Sequence, residues 1–393
     1  MSEAQAFLPY GRQQIDEADV EAVVDVLRSD YLTQGPAVER FERSVKSFCG
    51  AGHGVAVASG TAALHAALKV LGVGHGDRVW TSPITFVASA NAARYCGASV
   101  DFVDVDPGTV NLSPQALGAK LQAAEQSGTL PKVVIPVHFG GQSCAMDEIH
   151  ALAGRYGFRI VEDAAHALGG DYLGGRVGNC RWSDIVTHSF HPVKIVTTGE
   201  GGMLTTNDAE LAWKAATFRT HGITRDPARM VGESDGPWYY QQLELGYHYR
   251  MTDLQAALGT SQMGKLEAFV ARRREIAALY DETLRGLPVE PLARDTRARS
   301  AWHLYVVRLN SAVRRPVFEA LRAAGIGVNV HYIPVHLQPD YRRLGFEPGM
   351  FPEAERYYGE CLTLPMFPGM SDADVERVRA VLAKAFAQSS CSL

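Results

Sequence analysis

Residues 189–202 are SFHPVKIVTTGEGG, with one lysine, Lys194, near the middle. The flanking segments, IVTHSF at 185–190 and GGMLTT at 201–206, are short and rich in apolar and β-branched residues, which predicts two strands. Lys194 therefore falls in the connection between two strands. A solvated loop charge is the ordinary interpretation of such a lysine. A functional amine at a strand end is the alternative, and it depends on what the rest of the chain places there.

Short apolar segments of the same kind recur through the first two-thirds of the chain. We predict further strands at VAVAS (55–59), RVWTSPITF (78–86), SVDFVDV (99–105), KVVIPVHF (132–139) and FRIVED (158–163). Helical patterns lie between several of them, at 61–71, 113–126 and 145–157. This alternation predicts an α/β fold with a large, mostly parallel sheet covered on both faces.

The last third of the chain has a different pattern. One long helical pattern runs from about Thr252 to Arg285. A strand pattern at 302–309 and helical patterns at 315–324 and 372–388 then predict a smaller α+β domain. With the boundary inside the long helical pattern, we expect a large domain over residues 1–262 and a small C-terminal domain over residues 263–393.

Composition excludes several classes of protein. The 393 residues carry a formal net charge of -5 without a Lys/Arg-rich block, so nucleic acid is not an expected partner. No apolar run approaches the roughly 20 residues of a membrane span, and the N-terminus MSEAQAFLPYGRQQ lacks a signal-peptide pattern. The six cysteines show no CxxC spacing. We therefore expect reduced, mostly buried thiols in a cytoplasmic protein, with no metal site and no membrane partner.

Ligands of an open parallel sheet bind beyond the carboxyl ends of its strands, so the residues that follow those ends are the candidate site. After the strand at 55–59, the turn at 59–62 opens a helix and offers free N–H groups that suit a phosphate, although N-capping by Ser59 or Thr61 is the competing interpretation. Asp163 ends a strand predicted to be buried, where an acid needs a partner. Capping the next helix and pairing with a charged ring nitrogen would each supply one.

Two more residues complete this set. His166 lies three residues after Asp163, on the same helical face, where an ordinary core histidine is the competing interpretation. Phe86 is the last residue of the strand pattern at 78–86 and follows RVWTSPIT. Pyridoxal phosphate (PLP) needs a lysine for its Schiff base, an acid on its ring nitrogen, a phosphate cup and a flat group against its ring. Lys194, Asp163, the 59–62 turn and Phe86 supply one of each.

With these motifs in place, the chain resembles the sugar-nucleotide aminotransferases of the DegT/DnrJ/EryC1/StrS family nearly end to end. The resemblance is carried by LPYGRQQID (8–16), SDYLTQGP (29–36), ITFVASANAARYCGA (84–98), VEDAAHALGG (161–170), SFHPVKIVTTGEGG (189–202), ELGYHYRMTDLQAALG (244–259) and VHYIPVHLQPDY (330–341). It implies the fold-type I, aspartate aminotransferase-like architecture of PLP-dependent transferases, with pyridoxal 5'-phosphate as the cofactor.

Other stretches are similar to one branch of the family, the 4-aminotransferases of the pseudaminic acid pathway. They are PITFVASANAARYCGASVDFVDVDP (83–107), VIPVHFGG (134–141), THGITRDP (220–227), GPWYYQQLELGY (236–247) and TLPMFPGMS (363–371). That branch implies transfer of an amino group from L-glutamate to C4 of a UDP-linked 4-keto-6-deoxy-HexNAc. The sugar would be UDP-2-acetamido-2,6-dideoxy-β-L-arabino-hex-4-ulose.

The resemblance also implies a role for each residue around the cofactor ring. Lys194 would be the catalytic residue that forms the Schiff base and moves the proton between cofactor and substrate carbons. Asp163 would keep the pyridine nitrogen protonated, and His166 would lie near the phenolic oxygen. Phe86 would stack on the ring.

The remaining implied roles concern the phosphate and the substrates. The backbone N–H groups of Thr61 and Ala62 and the hydroxyl of Ser189 would bind the cofactor phosphate. His331 and Tyr332 would lie near the sugar.

One position departs from the family pattern. Relatives commonly carry Asn in the segment that matches GYHYRM (246–251), where it reaches the phosphate of the neighbouring subunit's cofactor. This chain has His248, which keeps a donor and would pair more strongly with phosphate when charged, but is bulkier. The implied assembly is a homodimer with shared active sites.

Several alternatives are compatible with these residues. One is a family aminotransferase acting on another nucleotide keto sugar, at C3 or with the opposite C4 stereochemistry. Another is a non-catalytic, PLP-bound regulator or scaffold, against which the intact Lys194 and Asp163 argue. A family dehydratase would have histidine in place of Lys194. A metal enzyme built on His331 and His336 has no carboxylate or cysteine pattern to complete its site.

Overall fold

The computed structural model describes residues 6–390. Residues 1–5 and 391–393, which include the start of the N-terminal stretch and Cys391, lie outside the described residues. In the described part the α-helices are α1 (Glu17–Leu27), α2 (Pro36–Cys49), α3 (Gly60–Val70), α4 (Ala88–Tyr95), α5 (Pro114–Ser127), α6 (Met146–Tyr156), α7 (Ala209–Phe218), α8 (Asp253–Met263), α9 (Leu266–Thr283), α10 (Ser311–Ala323), α11 (Pro339–Arg342), α12 (Pro352–Glu360) and α13 (Asp372–Ser390). Short 3-10 helices lie at Phe139–Gly141, Pro227–Arg229 and Val335–Leu337.

The strands of the same part are β1 (His53–Val57), β2 (Arg78–Thr81), β3 (Ser99–Phe102), β4 (Val133–Ile135), β5 (Arg159–Asp163), β6 (Asp171–Tyr172), β7 (Gly175–Arg176), β8 (Ile185–Ser189), β9 (Gly202–Thr206), β10 (Ile223–Thr224), β11 (Gln241–Gln242), β12 (Glu290–Pro291), β13 (Ala298–Arg299), β14 (Tyr305–Arg308) and β15 (Cys361–Leu364). The central sheet has seven of them, in the order β1-β9-β8-β5-β4-β2-β3. Each of the seven overlaps one of the predicted segments.

The direction of the strands in the central sheet is nearly uniform. β9 pairs antiparallel with β1 and β8, and the other neighbours pair parallel, so β9 runs against the remaining six. Successive residues such as Val79 and Trp80 enter different buried clusters, because neighbouring side chains of a strand point to opposite faces. The predicted α/β fold with a large, mostly parallel sheet covered on both faces is confirmed.

Two of these strands are shorter than their sequence patterns. The segment at 78–86 is a strand only over β2, and the segment at 132–139 only over β4. Pro83 and Pro136 interrupt the segments, and proline has no N–H to donate to a sheet ladder. The chain therefore leaves the sheet after Thr81, which frees Phe86 for the loop beyond the strand end.

The helical pattern predicted as one helix from Thr252 to Arg285 is two helices. Gly264 and Lys265 separate α8 from α9. Glycine is poorly suited to a helix interior, and it weakens the pattern at this point. The Lys265 ammonium also contacts the Asp19 carboxylate of α1 at 2.5 Å, which holds the break against the first helix.

Most of the C-terminal third has its own sheet and core. β14 lies between β12 and β15, and buried side chains such as Tyr280, Val317 and Leu382 pack beside it. Leu8, from the N-terminal end, joins the same cluster and forms a parallel bridge with Ile326. The boundary at residues 262 and 263 stays a prediction.

Five cysteines in the described part are free and buried: Cys49, Cys96, Cys144, Cys180 and Cys361. Within residues 6–390, no helix combines the length and the apolar character that crossing a membrane requires. The same residues contain no group of three or more His, Cys, Asp or Glu side chains placed to hold a metal ion.

Candidate active site

The carboxyl ends of the strands open onto a cleft of about 660 Å³. Eight predicted site residues line it: Thr61, Phe86, Asp163, His166, Ser189, Lys194, His331 and Tyr332. The expectation that residues from four strand ends converge at one rim is therefore met. Ala62 and His248 do not line the cleft of their own chain.

Lys194 lies in the connection between β8 and β9, where its N–H donates to the His191 carbonyl at 2.8 Å. Among the described residues, no protein group accepts a hydrogen bond from its side-chain nitrogen. Burial lowers the pKa of Lys194 from 10.5 to about 8, and the negative charge of Asp163 opposes that shift. A useful fraction of neutral amine is therefore present near neutral pH, which suits a nucleophile better than a solvated loop charge.

Asp163 is buried at the end of β5 and has two protein donors. Its Oδ1 accepts from the Ala165 N–H at 3.1 Å, but residues 164–170 are turns and irregular chain. The predicted helix after Asp163 is therefore wrong, and Asp163 and His166 share no helical face. Asp163 Oδ2 accepts from the Ser89 hydroxyl at 2.6 Å. Ser89 was not predicted from the sequence, because the two residues are 74 positions apart and no spacing pattern links them.

The turn between β1 and α3 is closed by its own cap. The Ser59 side chain accepts from the Ala62 N–H at 3.1 Å, so that predicted phosphate donor already has an acceptor. In residues 6–390, the N–H groups of Gly60 and Thr61 and the Ser189 hydroxyl have no protein acceptor. A Cβ built on Gly60 would lie 2.8 Å from the Ser189 Cβ, so glycine lets the helix end approach this hydroxyl. These free donors at a helix N-terminus suit a phosphate group.

Neutral rings line the opposite wall. Nε2 of His166 lies 3.2 Å from the Tyr332 hydroxyl, and Nδ1 of His166 is buried without a partner in the described structure. Burial and the charge of Lys194 lower the pKa of His166 well below its usual value. His331 bonds through Nδ1 to the Thr363 hydroxyl at 2.8 Å, and burial lowers its pKa to about 3. The two residues predicted near the sugar, His331 and Tyr332, thus already contact protein groups.

Two aromatic neighbours of these rings differ in exposure. Phe86 is 60% exposed although it lies beside the cleft, and its ring centroid is 6.5 Å from that of Tyr332. A large apolar ring left open at the edge of a cleft suits stacking against a flat ligand. His303 is buried, with its ring centroid 4.3 Å from that of His166. No sequence motif had singled out His303.

His248 lies apart from these groups. It is exposed, and its backbone bridges to Thr220. Its ring centroid is 5.7 Å from that of His221, and within the described chain its side chain makes no hydrogen bond.

Few charges line the cleft. Lys194 is the one lysine among the lining residues, no arginine is among them, and the acids are Asp163 and Glu200. The lining histidines with lowered pKa values add no positive charge at neutral pH, among them His166 and His331. One chain of residues 6–390 therefore offers neutral donors, but little positive charge, to an anionic ligand.

The groups present fit pyridoxal phosphate. A free amine with a lowered pKa suits its aldehyde, a buried acid suits its ring nitrogen, and unpaired donors suit its phosphate. The fold and these groups define a PLP-dependent transferase of fold type I.

Comparison with known proteins gives the family. The sequence model of the DegT/DnrJ/EryC1/StrS aminotransferase family matches residues 13–383, and the chain belongs to that family. The spore coat polysaccharide biosynthesis protein SpsC of Bacillus subtilis (strain 168) is 42% identical over 380 residues, which cover 95% of each chain.

Solved structures agree over nearly the whole length. Spr1654 from Streptococcus pneumoniae, in its PMP form, superposes with a TM-score of 0.88 at 31% identity, covering 97% of this chain and 99% of that one. PseC of Helicobacter pylori, an aminotransferase involved in pseudaminic acid biosynthesis, gives 0.89 at 28% identity, covering 97% and 100%. The protein is a PLP-dependent sugar aminotransferase.

Proposed function

We propose that this enzyme moves the amino group of L-glutamate to C4 of a UDP-linked 4-keto-6-deoxy-HexNAc, as a step in pseudaminic acid synthesis. The observation that carries the proposal is the match to PseC, with a TM-score of 0.89 over 97% of this chain. The segments at 220–227 and 236–247, which resemble the same branch, support it.

In this proposal each residue around the cofactor ring has a separate role in the reaction. Pyridoxal phosphate, when bound, supplies the electron sink and carries the amino group between the two substrates. Lys194 moves the proton between the reacting carbons, because its lowered pKa lets it both accept and release a proton near neutral pH. Asp163 keeps the proton on the ring nitrogen, and Phe86 holds the ring from one face.

The other roles follow from where free groups lie. The Thr61 N–H and the Ser189 hydroxyl bind the cofactor phosphate, and Ala62 contributes less because its N–H already donates to Ser59. His166 lies near the phenolic oxygen, with its Nε2 beside the Tyr332 hydroxyl. Tyr332 and His331 form the wall beside the sugar.

We further propose a homodimer with shared active sites. The cofactor phosphate, the nucleotide diphosphate and the glutamate carboxylates are all anions, whereas one chain lines its cleft with a single lysine. A second copy can supply further hydrogen-bond donors to these anions through exposed groups such as His248. Trp238 and Leu245, in the segment before His248, are 71% and 77% exposed to solvent. Contact between copies would cover these side chains.

Two further proposals concern the domain boundary and the cellular location of the enzyme. We place the large domain at residues 1–262 and the small domain at 263–393, with the break between α8 and α9 beside this boundary. We also propose a cytoplasmic enzyme, because buried, free thiols such as Cys49 and Cys361 persist where the environment is reducing.

A second candidate substrate is another nucleotide keto sugar, with the ketone at C3 or with the opposite C4 stereochemistry in the product. The higher identity to SpsC, 42% against 28% for PseC, favours it. SpsC is a spore coat polysaccharide biosynthesis protein. This alternative keeps the proposed class of reaction and changes the sugar.

Incubating the purified enzyme with L-glutamate and a panel of UDP- and dTDP-linked 3-keto and 4-keto sugars tests the proposal. We expect amination of the UDP-linked 4-keto-6-deoxy-HexNAc at C4, identified by NMR of the product. Faster turnover of a dTDP-linked or 3-keto sugar would overturn the substrate and favour the second candidate.

A further inference from the structure

A pair of hydroxyl groups lies directly behind the acid of the cofactor site. Ser89, in the first turn of α4, donates to Asp163 Oδ2 at 2.6 Å, and its oxygen is 2.7 Å from the Thr85 hydroxyl. Thr85, Ser89 and Asp163 are 2%, 1% and 6% exposed. The two hydroxyls and the carboxylate therefore form a connected set from which water is largely excluded.

The chemistry of the groups fixes the direction of these bonds. A hydroxyl has one hydrogen to donate, and Ser89 uses it on the carboxylate, which only accepts when charged. Thr85 is then the donor to the Ser89 oxygen. With the Ala165 N–H on Oδ1, each oxygen of Asp163 has one protein donor and still has room for a further hydrogen bond.

We propose that Ser89 is a positioning residue, which holds the Asp163 carboxylate in the orientation that meets the cofactor ring nitrogen, and that Thr85 orients the Ser89 hydroxyl. The inference rests on the proposed role of Asp163. Phe86 lies in the same segment, between Thr85 and Ser89, so one hydrogen bond ties the aromatic side chain above the ring to the acid that meets its nitrogen.

The test uses the holoenzyme with L-glutamate alone, so that no sugar substrate enters the result. We expect Ser89→Ala to lower the maximal rate of the glutamate half-reaction about tenfold, the effect of one charge-assisted hydrogen bond. The half-saturating glutamate concentration should stay within about twofold, because Ser89 acts on the ring and not on glutamate. The visible circular dichroism band of the bound cofactor should also weaken, since the ring is held less firmly.

Thr85→Val has nearly the same volume as threonine and provides a second route if Ser89→Ala is recovered poorly. It should lower the maximal rate about threefold, and the double variant should match Ser89→Ala, because Thr85 acts through Ser89. Ser82→Ala is the matched control, since Ser82 is buried in the same segment and bonds only to Ile84. It should keep the wild-type rate and dichroism.

The inference would be overturned by wild-type rate and dichroism in Ser89→Ala, by the same result in Thr85→Val, or by effects that multiply in the double variant. A wild-type half-reaction in Asp163→Asn would also overturn it, by removing Asp163 from the cofactor site. Failure to aminate any keto sugar, with a normal glutamate half-reaction, counts against the proposed substrate and leaves the Ser89 result standing.

Discussion

The floor of the cleft, formed by Asp163, Ser89 and Lys194, and the segment from 220 to 248 differ in burial and in hydrogen bonding. On the floor, Asp163 and Ser89 are buried and bonded to each other, and Lys194 lies within the influence of the Asp163 charge. In the segment, Leu245 is 77% exposed, and His248 has no side-chain hydrogen bond in the described structure. One copy of the chain thus brings together the groups for the cofactor ring, whereas His248, which we propose reaches an anion, lies on a surface that its own cleft does not use.

Removing the Lys194 amine from the floor of the cleft should have the largest effect on activity. Lys194→Ala should lower aminotransferase activity by at least about 10⁴-fold, the upper end for one acid–base group. Borohydride treatment should leave no cofactor bound covalently to this variant. Lys214→Ala, at a half-buried lysine of α7 outside the cleft, is the control and should keep both the adduct and the activity. An adduct that persists in Lys194→Ala would assign the reactive amine to another residue.

The next largest effect should come from the floor's acid. Asp163→Asn preserves volume but loses the charge that faces the ring nitrogen, so we expect a decrease of about 10²–10³-fold in the glutamate half-reaction, as for a broken buried charge pair. Asp253→Asn is the control, because Asp253 is equally buried but accepts from the Gly35 and Ala37 N–H groups outside the cleft. It should affect thermal stability and leave the half-reaction rate of the folded enzyme unchanged.

The acidity of Lys194 gives a third test of the floor. Its pKa of about 8 means that the neutral amine increases about tenfold per pH unit below pH 8 and levels off above it. The rate at which apoenzyme binds pyridoxal phosphate covalently, followed by absorbance, should show the same rise and plateau. A midpoint near the ordinary lysine value of 10.5 would show that burial does not act on this amine.

The exposed segment should give a smaller effect. If His248 reaches the phosphate in a second copy, His248→Ala should weaken cofactor retention on dialysis about tenfold, as expected for one hydrogen bond to a charged group. His248→Asn should largely retain the cofactor. His221→Asn is the control, since His221 is the exposed neighbour and asparagine tolerates its positive φ of 59°. Equal retention in His248→Ala and the wild type would remove His248 from the phosphate.

Much of the fold could be predicted from local patterns. The seven strands of the central sheet are short apolar runs, and each is marked by its own composition. α1 and α2 were not predicted, although their starts carry local signals: Asp16 and Asp19 form a capping box at α1, and Pro36 is the first residue of α2. What the sequence could not show is the tertiary contact at the second start, where Asp253 accepts from the N–H groups of Gly35 and Ala37, more than 200 positions away.

The site divides in the same way. Lys194 and Asp163 follow strand ends, so a rule about parallel sheets finds them. Ser89 and His303 reach the cleft through tertiary packing, and no spacing in the sequence indicates either of them. The hydrogen bond between Tyr332 and His166 joins residues 166 positions apart, so only the structure shows that Tyr332 has a protein partner beside the expected sugar.

Mixing two defective variants tests most directly whether one copy completes the site of another. Lys194→Ala and His248→Ala chains are combined under conditions of proven subunit exchange. In the mixed dimer, the site with intact Lys194 receives the intact His248 of the other chain. We expect the activity of the mixture to rise above that of both parents, toward about a quarter of wild-type activity for random pairing in a two-fold dimer. Activity equal to the average of the parents, when each parent alone is clearly defective, would contradict a shared site.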